Sequence, residues 1–181
     1  RILKQIILKK LNQFTLPATH ILGLLLSLAF LLLFFCYHDH GFDLTDEAFY
    51  ALSATQHDNI IIGMSFGYLT SYLMSLFSCD FHDTRVIGYI LLMGSTTLMV
   101  SSSLYKYTGR FSLSKLLTAV TISTPCIIFY SYGIYSLSYN NYSVFGINFI
   151  LTGLFLNKNS KIFSFPSLFA GFGIFLLGMS K

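Results

Sequence analysis

The chain has 181 residues, of which 54% are hydrophobic and only 10% charged, with a formal net charge of +4. A soluble domain of this length needs more polar surface than that. The cations sit in short clusters beside apolar runs, where they orient helices, and this is not a nucleic-acid signature. Uncharged runs cover residues 21–35 and 162–179. A helix of roughly 18–20 apolar residues matches the ~30 Å hydrocarbon core of a bilayer. The ~10-residue alternating strands of a β-barrel are not seen. The composition therefore predicts an all-α integral membrane protein.

Residues 1–16 alternate Ile2, Leu3, Ile6, Ile7, Leu11 and Phe14 with Lys4, Lys9 and Lys10. This predicts an amphipathic basic helix over 1–17, lying on the cytoplasmic membrane surface. The first residue is Arg1 rather than Met, so a part of a longer protein is expected, its N-terminal portion. No A-x-A cleavage site follows the first apolar run, and Leu33-Phe34-Phe35-Cys36 lacks a small residue before the cysteine. The run is expected to stay as an anchor rather than be removed as a signal peptide. Pro17 permits a new helix start, and the first span is predicted over 18–37.

The next stretch holds every acidic residue of the chain: Asp39, Asp43, Asp46, Glu47, Asp58, Asp80 and Asp83. All Lys and Arg residues lie outside it. A helix is predicted from near Thr45 to about Gln56. Thr45 would cap it, with Asp46 and Glu47 favouring its positive end. Segment 60–78 is long enough to cross a membrane, but Gly63, Ser65, Gly67, Thr70, Ser71, Ser75 and Ser78 interrupt it. Loop charges arbitrate. If the segment lies along the surface, the clusters at 1–10, 106–115 and 158–161 all fall on one side, which is cytoplasmic by the positive-inside rule. Further spans are predicted over 86–104, 116–133, 142–156 and 162–180, giving about five in a single transmembrane domain of 1–181. On this topology the acidic loop 38–84, the short loop 136–141 and Lys181 face outward. No internal repeat, linker or second domain is visible.

A carboxylate at the mouth of an apolar bundle is partly desolvated, and its proton affinity rises towards that of a general base. Asp46 or Glu47 can then deprotonate a hydroxyl arriving from water. The plainer reading leaves both as helix-start residues. His38, Asp39, His40 and Asp43 suit zinc or manganese in principle, as does the Cys79-Asp80-Phe81-His82-Asp83 cluster, but neither has a rigid ligand spacing. A divalent metal is therefore possible without being indicated. Cys36, Cys79 and Cys126 share no disulfide or metal spacing and are expected to pack as apolar residues. His20 and His57 are expected to be structural.

The order of pieces carries a resemblance. An Asp43-x-x-Asp46-Glu47-x-x-Tyr50 loop follows the first span. Phe66-Gly67-Tyr68 lies in the interfacial segment, and Thr84-Arg85-Val86 opens the second span. Ser138-Tyr139-Asn140 begins the fourth span, and Gly171-Phe172-Gly173 leads to Lys181. Over residues 18–181 this resembles the C-type membrane glycosyltransferases, in the broad group of protein O-mannosyltransferases and aminoarabinose transferases. The resemblance implies a sugar carried on a polyprenyl phosphate, transferred to a lipid, glycan or protein hydroxyl at the outer face of a bacterial cytoplasmic membrane. It implies Asp46 as base, with Glu47 and Asp43 shaping the acidic site. A phosphate leaving group needs cations and hydrogen-bond donors rather than a strong acid. Arg85 and Lys181, helped by Tyr139 and Asn140, are the candidates for it. A plainer role for Arg85 is an ion pair with Asp80 or Asp83, and for Lys181 a snorkelling span end. The alternatives are a cation-binding transporter or channel subunit, or a non-catalytic envelope-assembly protein.

Overall fold

A computed structural model describes residues 18–37, 46–56, 65–131, 136–157 and 164–180. Every regular element among them is a helix: α1 (Ala18–Tyr37), α2 (Asp46–Thr55), α3 (Ser65–Phe77), α4 (Asp83–Thr108), α5 (Leu113–Ser131), α6 (Tyr139–Leu156) and α7 (Phe165–Met179). The predicted surface helix over 1–17 lies outside the described residues. The all-α class is as expected. Of these helices, Asp83–Thr108 is long and apolar enough to cross a membrane, by length and composition. Shorter apolar helices run over His20–Leu33, Leu113–Ile127 and Phe165–Met179.

Local chemistry sets the helix ends. At the start of α4, the Asp80 carboxylate accepts from the Asp83 backbone N–H at 3.0 Å, and Asp83 accepts from the Asp80 N–H at 2.9 Å. This reciprocal pair has the form of a capping box and satisfies two donors at the helix entrance. The far end of α4 stops at Gly109, whose φ of 69° is left-handed. Its N–H closes on Tyr105 O at 2.7 Å, a turn that costs glycine little. Ser138 caps α6, its hydroxyl accepting from the Asn141 N–H. Helix α3 has 13 residues, or about 20 Å at 1.5 Å per residue, which is shorter than a ~30 Å hydrocarbon core.

The helices pack through small residues and hydroxyls. Helices α6 and α7 touch backbone to backbone where two glycines face each other. A Cβ on Gly146 would stand 2.7 Å from Gly173 O, and one on Gly173 would stand 2.5 Å from Gly146 O. Only a missing side chain permits that backbone contact. Asn148 ties α6 to α4, its Nδ2 donating to Ser95 Oγ and Thr96 Oγ1, each at 3.1 Å. Helix α1 leans on α5 through a Ser27–Thr124 hydroxyl pair and a 2.9 Å contact between His20 Nε2 and Thr118 Oγ1. Tyr89 of α4 donates to Ser27 O of α1 at 3.1 Å.

The core gathers Tyr50, Phe66, Leu92, Leu137, Tyr142 and Phe145, all buried. Outside it the surface stays apolar. Leu22, Leu25 and Phe35 of α1 and Phe165, Leu168 and Ile174 of α7 are all more than half exposed, led by Leu168 at 69%. Apolar faces this broad mark contact with a membrane or with another protein.

Candidate functional site

Helix α2 carries Glu47 in its first turn, and α4 carries Arg85 in its first turn. Thirty-eight residues apart in sequence, the two side chains meet in a fork. Arg85 Nε donates to Glu47 Oε1 at 2.8 Å, and Arg85 Nη2 donates to Glu47 Oε2 at 2.7 Å. Glu47 is 3% exposed and Arg85 9%. A charge so buried is tolerated only when paired and hydrogen-bonded, and the planar guanidinium matches a carboxylate on two edges. The pair fastens the acidic helix to the entrance of the longest apolar helix.

The sequence offers Arg85 as a phosphate ligand, or as a partner of Asp80 or Asp83. Its Nε and Nη2 donate to Glu47. The Asp80 and Asp83 carboxylates accept from each other's backbone in the capping box.

One turn beyond Glu47, Tyr50 begins an aromatic cluster. Its ring meets Phe66 of α3 edge-on at 5.8 Å and Tyr139 of α6 at 5.8 Å. Phe66 and Tyr139 are themselves 6.1 Å apart. Three of the sequence pieces thus converge at one ring: the acidic helix, the Phe66-Gly67-Tyr68 segment and the start of α6. Phe66 is fully buried, while Tyr139 is 41% exposed and carries the cluster out to the surface. Gly67 lets α3 lie directly on α2, because a Cβ there would overlap the Ser53 carbonyl. Below, Thr70 Oγ1 and the Tyr142 hydroxyl share a 3.0 Å hydrogen bond. The loop before α6 is held by Asn141, whose Nδ2 donates to Ser136 O at 2.7 Å.

Asp46 opens α2, next to Glu47 and within one turn of the ion pair. Asn140 follows Tyr139 in the first turn of α6 and is exposed. Asp43, Thr45 and Lys181 lie outside the described residues, as do His38, Asp39, His40 and His57. Among the described residues no group of three or more His, Cys, Asp or Glu is placed to hold a metal ion. Within Cys79–Asp83 the described side chains form no such group. Desolvation, reinforced by the Asp83 and Asp80 charges, pushes the Cys79 thiol above its ordinary value, against a lowering backbone hydrogen bond.

Sequence reasoning picked out Glu47 and Arg85 separately but missed that they are partners. No periodicity relates residues on different helices, so no local signal pointed to the pair. It also passed over Asn148 and the Thr70–Tyr142 contact. A polar residue in an otherwise apolar helix was the available clue for each. Comparison with protein-family models, with curated proteins and with solved structures finds no match to this chain.

Proposed function

We propose that this chain is the N-terminal part of a polytopic membrane glycosyltransferase. In this reading α1, α4, α5, α6 and α7 are five spans, and α2 and α3 lie at the outer face of a bacterial cytoplasmic membrane. The sugar donor is a polyprenyl phosphate, and the acceptor is a hydroxyl of a lipid, glycan or protein. The observation that carries the reading is the buried Glu47–Arg85 fork, which locks the Asp46-bearing turn to the mouth of the apolar bundle. A base for transfer needs such a fixed direction, since misplacement by about 1 Å costs on the order of 100-fold in rate.

The fork divides the labour between the two adjacent acids. Glu47 is spent on Arg85, so Asp46 is the residue proposed to take the acceptor proton. Asp43 adds negative charge nearby. The exposed Tyr139 and Asn140 flank the same region and supply donors to a phosphate. Arg85 stays in the proposal as a cation held by Glu47 at the edge of the site, and Lys181 is the second cation. As the acceptor oxygen attacks the anomeric carbon, the bond to the phosphate oxygen breaks, and the leaving phosphate keeps its electron pair. No acid is required for that departure.

The test is sugar transfer by the complete protein from a polyprenyl-phosphate donor. Asp46→Asn is expected to lower turnover by at least about 100-fold while the folded protein persists. Turnover near that of the unaltered protein would reject Asp46 as base. Ion flux in proteoliposomes lacking any sugar donor would favour the transporter alternative.

A further inference from the structure

A second feature lies away from the acidic site. Helices α1, α4 and α5 enclose a groove of about 920 Å³. Its walls are almost wholly apolar, with Leu28 and Leu31 on one side and Met93 and Leu98 on another. Along α4 it extends from Tyr89 to Ser101, about 18 Å at 1.5 Å per residue. That length suits an extended hydrocarbon chain. The volume falls within the roughly 300–1,000 Å³ of ligand pockets.

One end of the groove is not apolar. Lys115 lines it there, beside Ser112 and Phe111. The ammonium is held in place, donating to Thr108 Oγ1 at 2.6 Å and to Arg110 O at 2.8 Å. Two of its three N–H donors are thus fixed and the cation is pre-positioned. Lys106 and Arg110 belong to the same turn region. The chain offers these cations no carboxylate from 84–181 or from 1–38, because every Asp and Glu lies between Asp39 and Asp83. Ser101 is also in the groove wall, 6% exposed, and its Oγ has no hydrogen-bond partner among the described residues. Thr97 Oγ1, in the same wall, is likewise buried without one.

We infer that this groove seats an anionic phospholipid of the cytoplasmic leaflet, its acyl chain between α1, α4 and α5 and its phosphate on Lys115. The inference rests on the membrane topology proposed above but not on the transferase reading. The occupant must be apolar along ~18 Å and negative at one end, and the basic end lies on the side that the positive-inside rule makes cytoplasmic. The occupant is a standing component of the bundle and takes no part in sugar transfer.

The complete protein, stripped of lipid in detergent, is incubated with phosphatidylglycerol or with phosphatidylcholine, and retained lipid is read by native mass spectrometry. Phosphatidylglycerol should be retained about fivefold over phosphatidylcholine, as expected for one cation facing a net negative rather than a zwitterionic headgroup. Lys115→Gln should bring the two to parity. Gly94→Leu should abolish retention of both, because Gly94 lines the groove and a Cβ there meets nothing within 4 Å. The added side chain starts into open space at the groove wall, and leucine suits a helix. Equal retention of the two lipids by the unaltered protein would overturn the inference. So would unchanged retention in Gly94→Leu, or a groove that takes no lipid because a downstream helix or a second copy fills it. The readout involves no sugar, so loss of the transferase reading would leave it standing.

Discussion

Arg85 and Glu47 face each other across two parallel hydrogen bonds of 2.8 and 2.7 Å, each residue at the first turn of its own helix. Removing one partner takes two charge-assisted hydrogen bonds from a buried charge. Arg85→Ala and Glu47→Gln are each expected to cost about 3–5 kcal/mol of stability. Replacing both, as Arg85→Met with Glu47→Leu, should cost much less than the sum, because neither buried charge then remains. Thermal unfolding in detergent micelles, run as a double-mutant cycle, checks this. Additive losses would mean that the two side chains act independently.

The glycines of α6 and α7 are not equivalent. Gly173 meets backbone of α6, whereas a Cβ on Gly171 or Gly178 would meet nothing within 4 Å. Gly173→Ala must push the two helices apart and should destabilise by about 1–3 kcal/mol. Gly171→Ala should be neutral or stabilising, since alanine is the better helix former. Melting midpoints of the two variants, compared side by side, distinguish them.

Asn148 donates from one amide nitrogen to two hydroxyls on α4. Asn148→Leu removes both bonds and leaves Ser95 and Thr96 without that donor. Within a membrane such contacts contribute about 0.6–2 kcal/mol. A drop of that order in unfolding free energy is the expected result, with helix content by circular dichroism unchanged.

How far the sequence foretold this arrangement differs between levels. Each described helix matches a predicted segment closely: 18–37 became Ala18–Tyr37, and 142–156 became Tyr139–Leu156. Charge-free runs rich in apolar residues are local signals, and they survive in a single chain. Burial was not legible. Leu22 and Leu25 on the outside of α1 are as apolar as Leu92 in the core, so no polar stripe marks the inward face. The acidic stretch was legible as a site candidate from its isolation alone. The partnership of Glu47 with Arg85 was not, because it depends on how α2 folds back against α4. The expected cap at Thr45 and the roles of Asp43 and Lys181 fall outside the described residues.

Cys79 lies beside the capping carboxylates, and its thiol is pushed up first by desolvation and then by Asp83. A raised value means less thiolate at any pH below it, so alkylation should be slower than for a free thiol. The pH profile of maleimide or iodoacetamide reaction at Cys79 should therefore rise at higher pH than that of glutathione. Asp83→Asn removes a negative neighbour and should shift the profile back down. An unshifted profile in that variant would assign the effect to burial alone.

The proposed topology stands or falls with the side of the membrane on which the acidic helix lies. A variant of the complete protein with Cys36, Cys79 and Cys126 replaced by serine and Asp46→Cys introduced carries a single reporter thiol in that helix. Intact cells are treated with a membrane-impermeant maleimide before and after lysis. The account predicts labelling of intact cells at the same level as after lysis. Labelling only after lysis would put Asp46 on the cytoplasmic side and contradict it.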